Sequence, residues 1–368
     1  SILLPYKENF SPLYPGAVSI FLNSVIKLSR YRNYITVYGS TNFKKIYNIK
    51  YVNIDIPKKI LGLGSQTNNY INKFTELEKK SPSNIIEVHN RPLYIQLLST
   101  TVKKVLYFHN DPLSMNGSKK DNERLFLIDK CSKIIFNSEW SKKRFLTGLN
   151  NIYKKSEKLI VVQQSTPKQN INLSKKKKII TFVGKLNKAK GYDVFGSAII
   201  DILNKYKDWK AVVIGDEERE KHNFNHKNLE ILGFQHHAVV LKIFKKTSIS
   251  VVCSRWEEPF GRTSLESSSC GCAVIITNRG GLPETITNGV IIEKLNKNNV
   301  FAAIENLILN KKNRVGLQKL SLKNFILTSK YSSCLIDIYR DKLIKNLNSK
   351  AKKKLKILHV TNFNERHN

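Results

Sequence analysis

Between Ser250 and Glu284 the sequence places a strand, a loop, a helix, a second strand and a glycine turn in one short stretch, and no other feature restricts the fold as much. Ser250-Val251-Val252-Cys253 is a short apolar run. Ser254-Arg255-Trp256-Glu257-Glu258 follows as a polar, acidic loop, and Pro259-Phe260-Gly261 opens a segment that reads as a helix. Cys272-Ala273-Val274-Ile275-Ile276 is the next strand, and Gly280-Gly281-Leu282-Pro283-Glu284 turns the chain. Two short apolar runs joined through a helix make a βαβ unit.

Glu258 and Glu266 stand eight residues apart in this unit. On one ideal helix that spacing gives about 12 Å of rise and about 80° of rotation, so the two carboxylates share a face poorly. The spacing makes sense with Glu258 in the loop and Glu266 on the helix body. The rise is comparable to the length of a nucleotide sugar, so one carboxylate can hold sugar hydroxyls and the other the ribose. Glu258, Glu266 and Gly280-Gly281-Leu282-Pro283-Glu284 together closely resemble the E-x7-E block of retaining GT-B glycosyltransferases, group 1, of the family GT4 type. The resemblance extends over residues 1 to about 348. It implies an α/β fold of GT-B architecture: two Rossmann-like domains facing across a central cleft, with a C-terminal helix crossing back to the first.

The rest of the chain can be read against that expectation. Ile2-Leu3-Leu4-Pro5-Tyr6 reads as a first strand, and Gly16 opens an amphipathic helix with Val18, Phe21, Leu22, Val25 and Ile26 at helical spacing. Tyr34-Ile35-Thr36-Val37-Tyr38 reads as the next strand. The G-x-G-x-x-G fingerprint is missing, but a glycine at a helix start still lets backbone approach a phosphate. By resemblance, Gly16 faces the donor diphosphate. Ile85–His89 and Lys104–His109 are strands that each end in a histidine, and ligands gather at strand carboxyl ends in open parallel sheets. By resemblance, His109 lies near the transferred sugar.

Ile134–Ser138 and Leu159–Val162 read as further strands, and Gln163 to Lys178 as a polar, lysine-rich interdomain linker. The family has an Asn-Gly-Val-Asp-like sequence here; this chain has Gln164-Ser165-Thr166-Pro167. The linker divides the chain into residues 1–167 and 175–330, and the resemblance implies that the first is the acceptor-side domain and the second the nucleotide-sugar domain. A return helix is expected over 331–348, and 349–368 is a basic tail that resembles the start of a further, truncated domain.

The second domain restarts with Ile179–Val183 and Gly184-Lys185-Leu186-Asn187-Lys188-Ala189-Lys190-Gly191. Lys185 and Lys190 meet at a strand's carboxyl end beside a helix start, which suits a diphosphate. The pair resembles the family's Arg-x4-Lys, with Lys185 turning a bidentate fork into a point charge. His236 and His237 read as loop residues, and Val300–Leu309, Val315–Ser321 and Ser332–Leu347 as late helices.

Composition limits the alternatives. The net charge of +35 favours polyanions such as acidic lipid headgroups, and it is also what a Lys-, Asn- and Ile-rich coding bias produces. No zinc-finger, helix-turn-helix or aromatic RNP pattern supports nucleic acid as a partner. No apolar run approaches a membrane span. Ser1-Ile2-Leu3-Leu4 has no charged lead, so no signal peptide is expected. The five cysteines form no framework and suit reduced thiols in the cytoplasm. No Asp-x-Asp motif is present, and neither metal nor cofactor is expected.

The expectation is thus a retaining, metal-independent sugar transfer from a nucleotide-sugar donor. The acceptor expected is an envelope glycan or a lipid-linked sugar, met at the inner face of the cytoplasmic membrane. His109 and Glu258 are the expected catalytic residues. Gly16, Lys185, Lys190, Phe260, Gly261, Arg262, Thr263 and Glu266 are the expected donor-binding residues. A GT-B-fold epimerase and a non-catalytic partner subunit are the competing readings.

Overall fold

The computed structural model describes residues 1–56 and 65–345. The first sheet contains β1 (Ile2–Leu3), β2 (Val37–Gly39), β3 (Tyr51–Asn53), β4 (Ile85–His89), β5 (Lys103–Phe108), β6 (Lys133–Phe136) and β7 (Leu159–Val161). Its order is β3-β2-β1-β4-β5-β6-β7. The second sheet contains β8 (Lys177–Val183), β9 (Lys210–Ile214), β10 (Leu229–Ile231), β11 (Thr247–Val252), β12 (Ala273–Thr277) and β13 (Val290–Ile292), in the order β10-β9-β8-β11-β12-β13. Every strand pair is parallel.

Helices connect the strands: α1 (Ala17–Ile26), α2 (Gln66–Lys80), α3 (Pro92–Leu97), α4 (Asp121–Lys130), α5 (Glu139–Leu146), α6 (Tyr192–Lys205), α7 (His237–Lys246), α8 (Arg262–Ser269), α9 (Lys297–Leu309), α10 (Lys311–Lys323) and α11 (Ser329–Lys345). Side chains alternate across a strand, and the cores follow that period. In the first sheet Leu3, Ile86, Val88, Leu106 and Phe108 enter one core, while Ile2, Ile85, Val105 and Tyr107 enter the other. In the second, Ile180, Phe182, Val213, Val251 and Ile275 face α6 and α9, and Val212, Ile214, Val252, Val274 and Ile276 face α7. Burial on both faces explains why these strands read as unbroken apolar runs.

α11 carries the chain back from the second sheet onto the first. Ile336 and Leu343 enter the core beside α1, and Ser333 Oγ donates to the Val25 carbonyl at 2.9 Å. Arg340 forms a buried, bidentate pair with Glu87 on β4, at 2.7 and 2.8 Å. This is the GT-B architecture: two Rossmann-like α/β units and a returning C-terminal helix.

Several local expectations need correction. The strand expected over Tyr34–Tyr38 is shifted: Arg32–Tyr34 form a helical turn, Tyr34 is 84% exposed, and β2 pairs with β1 only from Val37. β1 ends at Leu3, before Pro5, which has no N–H to donate. The helix expected over Val315–Ser321 runs from Lys311 to Lys323. The segment read as a polar linker is buried where it leaves β7. Thr166 N donates to Leu327 O and Thr166 O accepts from Ser329 N, so residues 164–166 are pinned against the start of α11. The tail 349–368 and the last residues expected in the return helix lie outside the described residues. No helix among the described residues is long and apolar enough to cross a membrane.

Candidate active site

In each sheet the strand order reverses at one point, between β1 and β4 in the first and between β8 and β11 in the second. Loops leaving the carboxyl ends of those strands part to opposite faces and leave a crevice. A crevice of about 240 Å³ lies at the second of these points, and its wall includes groups from both domains. His109, Asn110, Asn137 and Gln164 come from the first-domain side. Lys190, Ser254, Glu258 and Phe260–Thr263 come from the second.

Glu258 sits in the loop after β11 and is 8% exposed. Its Oε1 accepts from Ser254 Oγ at 2.6 Å and pairs with Lys190 Nζ. Its backbone is clamped by the glycine turn: Gly281 N donates to Glu258 O at 2.6 Å, and a Cβ on Gly280 would lie 2.1 Å from that oxygen. Gly280 also has φ 59°, so no other residue fits this place without strain. Gly261 is the N-cap of α8, which puts the amides of Arg262 and Thr263 at a helix start facing the crevice.

Glu266 lies one turn into α8, behind the crevice wall. Its Oε1 contacts His237 Nε2 at 2.9 Å and pairs with Arg262. Burial pushes the carboxyl up, but Arg262 and His237 outweigh it and bring it down to about 2. His237, read from sequence as a loop residue, is the first residue of α7 and holds this carboxylate. Arg262 keeps a buried Nη1 with no partner among the described residues.

His109 stands at the end of β5 and is 7% exposed. Its Nε2 is 3.0 Å from His89 Nδ1 and its Nδ1 is 3.1 Å from Gln164 Nε2. With the Gln164 amide donating, His109 donates to His89, and the proton on His89 Nε2 is buried without a partner. Burial, then repulsion from Arg262, brings His109 down to about 3, so the ring is neutral near pH 7. Asn90, at φ 54°, accepts from the backbone N–H groups of His109 and Asn110, both at 3.1 Å, and fixes the loop.

Three expected residues lie outside the crevice wall: Glu266, which is behind it, Lys185 and Gly16. Lys185 is exposed and lies outside the crevice wall, although its neighbour Gly184 is part of it. Gly16 is the N-cap of α1, and the adjacent Ala17 reaches the crevice. The Glu8 carboxylate already serves this helix start: it accepts from Ser19 N at 2.9 Å and would lie 2.3 Å from a Cβ on Gly16. A phosphate at this helix start has to displace Glu8 or share the site with it.

The two domains touch through groups that sequence reasoning did not find. Glu284 accepts from Glu139 N and Trp140 N, at 2.8 and 2.9 Å, at the start of α5. Burial outweighs those bonds and raises its carboxyl. Ser138 Oγ donates to Pro259 O at 2.5 Å, and Tyr14 stacks on Phe234 with centroids 4.8 Å apart. Gln164 could have been found, because it follows a strand's carboxyl end as His109 does. Glu284 gives no such signal, since its partners lie in the other domain. No group of three or more His, Cys, Asp or Glu among the described residues is arranged to hold a metal.

The fold and the crevice together define a GT-B protein, and comparison with known proteins agrees. Residues 163–321 match the family model for glycosyl transferases group 1. Spore coat protein SA of Bacillus subtilis is 24% identical over 348 residues, covering 83% of this chain and 89% of that one. An uncharacterized glycosyltransferase of Methanocaldococcus jannaschii is 27% identical over 350 residues, covering 88% and 93%. Among solved structures, Anabaena HepE in complex with UDP and glucose aligns with a TM-score of 0.72 at 15% identity, over 94% of this chain and 98% of that one. Sucrose-phosphate synthase of Thermosynechococcus elongatus aligns with a TM-score of 0.72 at 12% identity, over 94% and 99%. This protein is a glycosyltransferase, and its likeness to group 1 is carried by residues 163–321.

Proposed function

We propose that the crevice binds a nucleotide sugar and that the enzyme transfers the sugar with retention of configuration, by the GT4 type of mechanism. The observation that carries this reading is the Lys190–Glu258 pair at the second switch point, beside the start of α8. When the donor enters, Lys190 exchanges Glu258 for a phosphate oxygen, and the released carboxylate oxygen accepts from sugar hydroxyls. The bond from the anomeric carbon to the diphosphate breaks through an oxocarbenium-like state. The acceptor oxygen bonds to the same face, and its proton passes to the departing phosphate.

Countercharge for the diphosphate comes from Lys190, from the unpartnered Nη1 of Arg262 and from the amides of Phe260–Thr263, and Lys185, exposed outside the wall, adds a more distant positive charge. This set supplies what a divalent ion would supply, so the transfer is metal-independent. His109 packs against the sugar as a neutral ring. Glu266, held by Arg262 and His237, takes the ribose. HepE, a fold neighbour, is described in complex with UDP and glucose, which supports a nucleotide-sugar donor. The net charge of +35 and a relative named for the spore coat support an envelope glycan or lipid-linked acceptor, met at an anionic membrane surface on the cytoplasmic side.

A panel of nucleotide sugars tested by thermal shift and slow donor hydrolysis examines this reading. One donor should stabilise the protein and be hydrolysed, and Glu258→Ala and Lys190→Ala should each weaken both effects. Binding of no donor, or binding indifferent to both substitutions, would overturn it.

A further inference from the structure

The other switch point, between β1 and β4, also opens a cavity. It has a volume of about 480 Å³ and is bounded by the loops that follow β1, β4 and β5. Lys7 and Arg91 stand in its wall with Tyr6, Tyr94 and Asn110, and no carboxylate does among the described residues. Neither cation has a carboxylate partner among those residues. Arg91 Nη1 instead donates to the Asn90 carbonyl at 2.8 Å. The acids closest in sequence to the lining residues are committed elsewhere: Glu8 to the start of α1, Glu87 to Arg340 at 2.7 Å, and Asp111 to Arg144 at 2.9 Å.

The walls are built. Tyr94 is 2% exposed, and its hydroxyl accepts from Tyr6 N at 3.1 Å, joining the β1 loop to α3. Asn90, at φ 54°, carries Arg91 and at the same time holds the backbone of Asn110. Asn110 lines both this cavity and the donor crevice, so a group seated here can extend into the reaction site.

We propose that this cavity is the acceptor subsite and that it selects a negatively charged sugar, phosphorylated or carboxylated, through Lys7 and Arg91. The inference rests on the donor reading above. Two cations without carboxylate partners beside tyrosine faces favour an anionic sugar over a neutral one. The hydroxyl and amide groups around them suit its remaining hydroxyls. Arg91 has the fork that fits a planar carboxylate or a phosphate, and Lys7 adds a point charge.

The test is titration calorimetry of the full chain with D-glucose, D-glucuronate and D-glucose 6-phosphate, in the wild type, Lys7→Ala and Arg91→Gln. Both charged probes, or one of them, should bind about tenfold tighter than glucose, and either substitution should remove most of that advantage. The stronger of the two identifies the source of the charge as carboxylate or phosphate. Equal binding of all three probes would overturn the inference. So would a charged advantage that survives both substitutions, since it would then belong to the net charge of +35 and not to this cavity. Donor hydrolysis measured on the same variants separates the two readings. Loss of hydrolysis in Glu258→Ala alone supports the donor site whatever the cavity does.

Discussion

The two sheets reverse at comparable points, yet their side chains there are opposite in kind. At the second point the charges compensate one another: Lys190 with Glu258, and Arg262 with Glu266. At the first, the cations Lys7 and Arg91 have no carboxylate partner among the described residues, and no acidic side chain among those residues lines the cavity there. One topology supplies two crevices, and the residues after each strand decide which charge each accepts. The paired site can exchange partners as charge moves during a reaction. The unpaired one can only attract and hold.

The largest expected effect concerns how α11 is held on the first domain. Arg340 and Glu87 are both buried, and Arg340→Met leaves the carboxylate without its cation, which costs about 3–5 kcal/mol. Denaturant unfolding should then show the first domain melting ahead of the second. A single unshifted transition would mean that the two domains do not differ in this way.

Next is the chemistry of the paired site. Glu258→Ala should lower donor hydrolysis by about 10²–10³-fold, while Lys7→Ala leaves donor hydrolysis unchanged. Equal losses of hydrolysis in both variants would merge the two crevices into one and break the comparison.

A smaller effect is expected where the domains meet. Glu284→Ala leaves the Glu139 and Trp140 amides to water, which costs about 0.5–1.5 kcal/mol per bond, and should speed hydrogen exchange at those two amides. Unchanged exchange would show that the contact does not hold the crevice wall.

The smallest is a pH effect. His109 is lowered to about 3 from 6.5, so its folded form stays neutral while the unfolded chain binds a proton. Its contribution is full above pH 6.5 and is lost as pH falls from there towards 3. Glu266, lowered to about 2 from 4.5, contributes fully above 4.5 and loses its share as pH falls towards 2. Stability should therefore decline on acidification from about pH 6.5. His109→Asn should flatten the first part of that decline, and an identical decline in that variant would assign it to other groups.

The sequence disclosed the parallel strands because burial on both faces makes them unbroken apolar runs. It disclosed the glycine turn because only glycine tolerates the approach of Glu258 at Gly280. It was less informative where a contact depends on the other domain. Glu284 read as a helix start, yet it caps α5 across the interface. His237 read as a loop residue, yet it opens α7 and holds Glu266. The charge of Lys185 was legible, but its exposure was not, because neighbouring lysines look alike in a chain this basic. Glu8, which competes for the start of α1, gave no warning, since its reach back to Ser19 depends on the shape of the loop.

The central claim is that a diphosphate belongs to the second switch point. Titration of UDP, GDP and ADP into the wild type, Lys190→Ala and Lys7→Ala at fixed salt tests it most directly. The expected result is that the preferred nucleotide loses about tenfold or more in affinity with Lys190→Ala and little with Lys7→Ala. Affinity that is unchanged by Lys190→Ala, or that falls with Lys7→Ala instead, would contradict the claim.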